Sequence, residues 1–325
     1  GLDYAVIYVG SEPATRGKFR TVFVIPRDQL SMRITAFNAD YDRLDITAIA
    51  MDSSDEVSIS AAGDDSKLDF PNGAALILSD VSVDDIQDAN LVVINKPSGL
   101  LVHRSSIDRH ETRFALQLLR DQIGQRVFPV HRLDKPTSGL LVFARSSDMA
   151  RRLSEQFARR EVNKYYLAVV RGYCPAAGVI DHPLVEKHDR IADALASKDK
   201  PAQDAQTEYR CLAKVEWPER VDRYPHARYS LVELQPQTGR KHQLRRHMKH
   251  IGHPIIGDAT HGKGVHNRFF AARFDCRRLL LACHRLEFRH PMTGQRLRVA
   301  ASPDEAFSRV MKAFGWDMPC TPRTR

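Results

Sequence analysis

The sequence predicts an α+β protein: a large mixed or antiparallel central sheet flanked by helices and loops, with a small N-terminal β-rich accessory region. Three observations carry this expectation. Short segments rich in β-branched and aromatic residues are interspersed with amphipathic stretches of helical period, without the regular strand–helix–strand repeat of a parallel sheet. Hydrophobic residues make up 42% of the 325, enough to bury a substantial core. Charge also divides the chain. Residues 1–80 hold 7 Lys and Arg against 13 Asp and Glu, a net of −6, whereas the remaining 42 basic and 27 acidic residues net +15.

Taken in order, "YAVIYVG" and "TVFVIP" read as short strands, and "DSSDEVSISAAGDDSKLDFPNG" is acidic and rich in turn formers. From about Asp88 the pattern sharpens. "ANLVVINKPSGLLVH" is a short apolar strand, a Lys-Pro-Ser-Gly turn and more apolar residues. Ala115, Leu118, Leu119 and Ile123 recur at helical spacing, with Gly124 as the C-terminal stop. "FPVHRLDKPTSGLLVFA" reads as strand, turn, strand. In "DMARRLSEQFARREV", Met149, Leu153 and Phe157 fall four apart on one helix face. "KYYLAVVRG" is a strand alternating its faces. "RYSLVELQPQTGRKHQLRRHMKHIGHPIIGD" is a strand, a Thr-Gly turn, a basic helix ending at Gly252, and a further turn.

The formal net charge of +9 and a pI near 9.4 speak about partners rather than fold, and nucleic acid leads among them. The five cysteines, Cys174, Cys211, Cys276, Cys283 and Cys320, form no C-x-x-C pair, so reduced thiols in a cytoplasmic protein are expected, without a Cys-based zinc site. No stretch approaches the roughly 18 apolar residues of a membrane helix, and no signal-peptide pattern is visible. The chain opens at Gly1 rather than Met, so a missing or trimmed start is expected. P-loop, G-x-G-x-x-G, zinc and G-x-S-x-G motifs are all missing from the text, so no cofactor is expected.

Asp134 stands out in "HRLDKPTSGLLVFA". His131, Arg132 and Lys135 beside it favour its ionised form, suited to a nucleophile or general base. A structural ion pair at a strand end fits the same residues, and the local sequence leaves both open. The Gly139 turn could bring backbone close to a ligand. In "QTGRKHQLRRHMKH", Arg240, Lys241, Arg245, Arg246 and Lys249 crowd one helix start. Arg245 and Lys249 share a face, and Leu244, Met248 and Ile251 supply the buried stripe. That density favours RNA phosphate contacts over a merely solvated face. Of His242, His247, His250 and His253, only His247 and His250 share a helix face. No acidic or Cys partner sits at ligand spacing, so phosphate contact or helix packing is expected and no metal. Tyr165 and Tyr166 point to opposite faces. One stacking on a base and both packing in a core or interface fit equally well.

Four motifs in order resemble one family. "HRLDKPTSGLLVFA", "VVINKPSGLLVH", "NKYYLAVVRG" and "LQPQTGRKHQLRRHMKHIGHPIIGD" are similar to the H-R-L-D, N-K-P, K-x-Y and T-G-R-x-H-Q blocks of the RluA-type pseudouridine synthases. The resemblance spans about residues 82–317. It implies the pseudouridine synthase fold for residues 82–325, with residues 1–81 as an acidic accessory region of unknown role. It implies an isomerase without cofactor or metal that flips a uridine out of RNA. Asp134 falls on the family's catalytic aspartate, Arg245 on the arginine that pairs with it and Tyr166 on the tyrosine that packs against the flipped base. Arg132 falls on the arginine that enters the RNA stack. Lys96, His131, Lys164, Arg240, Lys241, His242, Arg246 and Lys249 complete the expected RNA contacts. "LVHRSSIDRHE", "LRDQIGQRVF" and "PLVEKHDRIADALASKDK" are most similar to the subgroup acting on tRNA at the uridine of position 65. The same chemistry on ribosomal RNA, or RNA binding without catalysis, are the alternatives. A monomer is expected.

Overall fold

The computed structural model describes residues 91–104, 111–185, 201–292, 294 and 296–317, with the backbone of seven short strands in the first 90 residues. Those strands are β1 (Val6–Tyr8), β2 (Val22–Val24), β3 (Ser31–Ile34), β4 (Arg43–Asp45), β5 (Ser58–Ala62), β6 (Asp65–Asp69) and β7 (Ala75–Leu78). β1 and β2 fall on the two segments read as strands. β2 pairs with β4, and β3, β7, β6 and β5 form a four-stranded sheet.

The remaining elements are β8 (Leu91–Lys96), α1 (Ala115–Ile123), β9 (Phe128–Pro129), β10 (Ser138–Ala144), α2 (Ser147–Ala158), β11 (Asn163–Arg171), β12 (Ala177–Asp181), β13 (Gln206–Trp217), β14 (Ala227–Pro236), α3 (Gln243–His250), α4 (Gly264–Arg273), β15 (Leu281–Arg289), β16 (Arg296–Ala300) and α5 (Glu305–Ala313). Their ends follow local chemistry. Gly124 closes α1 in the left-handed conformation at φ 61°, and the Ser146 side chain accepts from Met149 N–H to start α2.

One ten-stranded sheet, ordered β1-β8-β10-β15-β11-β14-β13-β12 with β9 on β10 and β16 on β15, organises the chain. Among the described residues its pairings are antiparallel except β10–β15, which is parallel at Ser138 and Gly139 against Ala282 and Cys283. The sheet is mixed, as expected. Gly139 is required at this seam. At φ 108°, a Cβ there would lie 2.2 Å from the carbonyl oxygen of Cys283. The close approach anticipated for Gly139 is therefore to the neighbouring strand and not to a ligand.

Alternation along β11 sends Tyr166, Ala168 and Val170 into one core with Met149 and Leu153 of α2 and Leu244 and Met248 of α3. Leu167 and Val169 enter a second core with Phe270 of α4 and Phe307, Val310 and Met311 of α5. Helices thus cover both faces, and the parallel seam runs between them.

Candidate active site

Asp134 lies in the connection from β9 to β10, where Thr137 N–H donates to its carbonyl at 3.0 Å and closes a turn over Lys135 and Pro136. The chain then enters the Gly139 seam directly, so the side chain of Asp134 is held by rigid structure on its C-terminal side. It lines a cleft of about 720 Å³ shared with Tyr166, Lys164, Arg160 and the segment from Pro236 to Arg245.

Arg245 defines the electrostatics. Its side chain is only 5% exposed, and its Nη1 reaches Asp134 Oδ2 at 3.3 Å. Its Nε and Nη2 donate to Asp258 Oδ2 and Oδ1 at 2.7 and 2.8 Å, a bidentate fork. Asp258 also accepts the backbone N–H groups of Thr260 and His261, each at 2.9 Å. Burial works to raise the Asp258 carboxyl, but the Arg245 hydrogen bonds and these amides together hold it below its ordinary value. Arg245 is therefore fixed from behind by a buried anion and presents one N–H to Asp134. Expected to share a face with Lys249, Arg245 is buried whereas Lys249 is exposed. Gln243, Leu244, His247 and Met248 of the same short helix are buried too.

The turn before α3 is held by Gln243, whose side chain accepts from Thr238 Oγ1 at 2.7 Å and Arg240 N–H at 3.0 Å. It donates to the Gln206 carbonyl and Thr207 Oγ1 at 2.9 and 3.0 Å, so the buried amide is fully used. His242 follows at φ 55°, with Nε2 3.9 Å from Asp134 Oδ2 and Nδ1 3.1 Å from His261 Nε2.

Tyr166 reaches the cleft because the β11–β15 register shifts between Tyr165, opposite Arg285, and Tyr166, opposite Cys283. Burial, the neighbouring Cys283 and the Asp134 charge raise its phenol well above the ordinary value. Tyr165 stacks under the Arg285 guanidinium on the other face, 3.7 Å from the ring centroid. The two tyrosines thus have separate environments.

The expected RNA contacts divide. Arg132, Lys164, Arg240, Lys241 and His242 line the cleft, whereas Lys96, Arg246 and Lys249 do not. Lys96 is corrected outright. It is fully buried, and its ammonium donates to the carbonyls of Pro97, Leu100 and Lys135 at 2.9, 2.8 and 3.3 Å. It ties two turns together and reaches no phosphate. Burial, with Arg278 nearby, lowers it to about 7. His131 lines the cleft but stacks on Phe157 at 4.6 Å and accepts Val142 N–H at 3.0 Å. Burial and then Lys164 lower it to about 3, so it serves as a neutral acceptor rather than a cation for phosphate. His247 is buried, its ring nitrogens 2.9 Å from Thr207 Oγ1 and 3.1 Å from the His182 carbonyl, the packing role among those expected.

Arg160, Thr238, Gln243 and Asp258 escaped the sequence reading. Arg160 sits just past α2 at φ 61°, a position spacing does not reveal. The signal for Asp258 was available: an acid after the Pro-Ile-Ile-Gly turn, thirteen positions beyond Arg245.

Residues 90–250 match the family described as RNA pseudouridylate synthase. The chain is 55% identical over 230 residues to tRNA pseudouridine synthase C of Vibrio cholerae, covering 71% of this chain and 94% of that protein. It is 53% identical over 232 residues to the protein of the same name from Pasteurella multocida, at 71% and 96% coverage. Among solved structures, human RNA pseudouridylate synthase domain containing 4 aligns with a TM-score of 0.55 at 28% identity, covering 72% of this chain and 93% of that one. The chain therefore belongs to the RNA pseudouridylate synthase family, isomerases that convert a uridine of RNA to pseudouridine.

Proposed function

We propose that this enzyme modifies a uridine of tRNA, at position 65, with Asp134 as the reacting carboxylate. Residues 82–325 form its catalytic domain and residues 1–81 an accessory region, and it acts as a cytoplasmic monomer. The carrying observation is the Asp134–Arg245–Asp258 chain at the base of a cleft lined with basic side chains. Matches to tRNA pseudouridine synthase C over 94% and 96% of the relatives' lengths support the substrate.

In this reading the uridine flips out of its stack into the cleft, and its base packs on Tyr166. The Asp134 carboxylate attacks C1′ of the ribose, and the bond to nitrogen 1 breaks. The freed uracil turns and rejoins C1′ through carbon 5, displacing the carboxylate. Arg245 keeps the carboxylate aimed without being able to remove its charge, since Asp258 takes two of its N–H groups. Arg132 enters the stack that the uridine leaves, and Lys164, Arg240 and Lys241 hold the phosphates on either side of the flipped nucleotide.

The test is carbodiimide mapping of pseudouridine in unmodified tRNA transcripts and ribosomal RNA fragments after incubation with the full chain. A single new stop in the tRNA acceptor–T stem is expected. Asp134→Asn should lose at least on the order of a thousandfold in rate while binding RNA within a few-fold of wild type. A stop only in ribosomal RNA would overturn the tRNA assignment, and an active Asp134→Asn would overturn the catalytic one.

A further inference from the structure

Isomerising uridine requires one proton to leave carbon 5 and another to arrive at nitrogen 1. We propose that His242 is the base that removes the carbon-5 proton and that His261 fixes its tautomer. This rests on the reading of Asp134 as the carboxylate that faces the sugar.

The geometry carries the assignment. His242 lines the same cleft as Asp134 and Tyr166. Its Nε2 stands 3.9 Å from Asp134 Oδ2, beyond hydrogen-bond range, so the carboxylate does not occupy that nitrogen. Its Nδ1 lies 3.1 Å from His261 Nε2, with the two rings edge to face at 78°. With Nδ1–H donating to His261, the Nε2 lone pair is directed at the cleft. His261 is buried, and its backbone N–H donates to Asp258 Oδ1 at 2.9 Å. The acid that clamps Arg245 therefore also anchors the imidazole pair. His242 holds a left-handed backbone at φ 55°, a strained conformation for a non-glycine residue, at the start of the helix that carries Arg245.

Charge agrees with this role. Burial lowers His242 first. Arg245 and Lys241 add to the effect while Asp134 and Asp258 oppose it, and the net result is a neutral imidazole near pH 7. Tyr166 lines the cleft as well, but burial, Cys283 and the Asp134 charge raise its phenol and keep it protonated. It packs and does not abstract.

The step balances without a further reactant. When carbon 5 has bonded to C1′ and the carboxylate has left with its electron pair, carbon 5 still carries hydrogen and the ring holds an N1=C6 double bond. His242 Nε2 takes that hydrogen as a proton, and the C–H pair becomes the C5=C6 bond. The former N1=C6 pair moves onto nitrogen 1, which takes a proton from the imidazolium or from water. Carbon 5 is then one bond from C1′, so a base beside Asp134 Oδ2 is beside the departing proton.

The experiment uses the full chain and unmodified tRNA transcripts labelled with tritium at carbon 5 of uridine, and a second set made with 5-fluorouridine, which has no carbon-5 proton to lose. His242→Gln should release tritium about 100-fold more slowly than wild type. It should convert the fluorinated RNA, resolved by chromatography after nuclease digestion, within about threefold of the wild-type rate. Tritium release within threefold of wild type overturns the proposal, as does equal slowing of both RNAs, which would mark a role in folding or binding. Conversion of fluorinated RNA by Asp134→Asn would instead sink the Asp134 reading, and tritium release by His242→Gln would still be read against wild type.

Discussion

Two centres in this fold pair buried carboxylates with arginines, and they are built in opposite senses. In the β14–β15–β16 region, Glu287 takes Arg296 and Arg298 at 2.8 and 2.9 Å, and Glu233 takes His284 and Arg210, each at 3.1 Å. There the acids are inside, 5% and 10% exposed, with Arg285 buried between them at 8%, while Arg296 and Arg210 reach in from the rim. At the cleft the arginine is inside, 5% exposed, and one of its two acids, Asp134, is 22% exposed. The first arrangement ties β14, β15 and β16 to one another. The second ends on an anion that a ligand can reach. The sign of the group left at the open end, rather than the number of ion pairs, separates a structural cluster from a reactive one.

Breaking the buried end of the cleft centre should have the largest effect. Asp258→Asn takes the bidentate acid from the buried Arg245 and leaves it only the 3.3 Å contact with Asp134, which should cost about 3 kcal/mol in urea unfolding, with activity lost as well. An unchanged midpoint would show that Asp258 is not the anchor. Arg245→Lys keeps the charge but loses the fork. A fall in kcat of about a hundredfold is expected, with native circular dichroism and tRNA affinity kept. Full activity in that variant would mean that aiming Asp134 needs no bidentate clamp.

Glu287→Gln tests the closed centre and should have the smallest effect, about 1–2 kcal/mol at pH 7 with kcat unchanged. Burial opposes ionisation of Glu287, but Arg298 and Arg296 outweigh it and hold the carboxyl below its ordinary value. Its stabilisation is thus present above the unfolded value near pH 4 and lost as pH falls through the lower folded value. The urea midpoints of variant and wild type should converge as pH drops below about 4. A gap that persists there would trace the loss to packing rather than to charge.

What the sequence revealed followed from periodicity. Leu119 with the Gly124 stop, and Met149 and Leu153 at intervals of four, marked α1 and α2, because an exposed helix must alternate its faces. At α3 the same rule found the helix and its buried Leu244 and Met248 but not the polar residues buried with them. Both Arg245 and His247 are buried beside Leu244 and Met248, so polarity no longer reports exposure. Which residues meet was legible for Asp134 and Arg245 only through the motif resemblance, since 111 positions separate them. The fate of Lys96 was not legible at all. A lysine at a strand end before Pro-Ser-Gly reads as surface, and only the convergence of three carbonyls makes it internal. Cys320 and residues 105–110 and 186–200 of the quoted resemblance lie outside the described residues.

The Gly139 seam has a consequence for how the enzyme comes into being. Zipping β10 to β15, and the Arg278–Ser138 hydrogen bond beside them, closes a loop spanning 140 positions. Such remote pairings carry a large loop-closure entropy and come late in folding. Asp134, Arg245 and Asp258 all precede β15, the strand that draws the turn before β10 into place. The turn that carries Asp134 is therefore set by a pairing made across 140 positions rather than by its own neighbours in sequence.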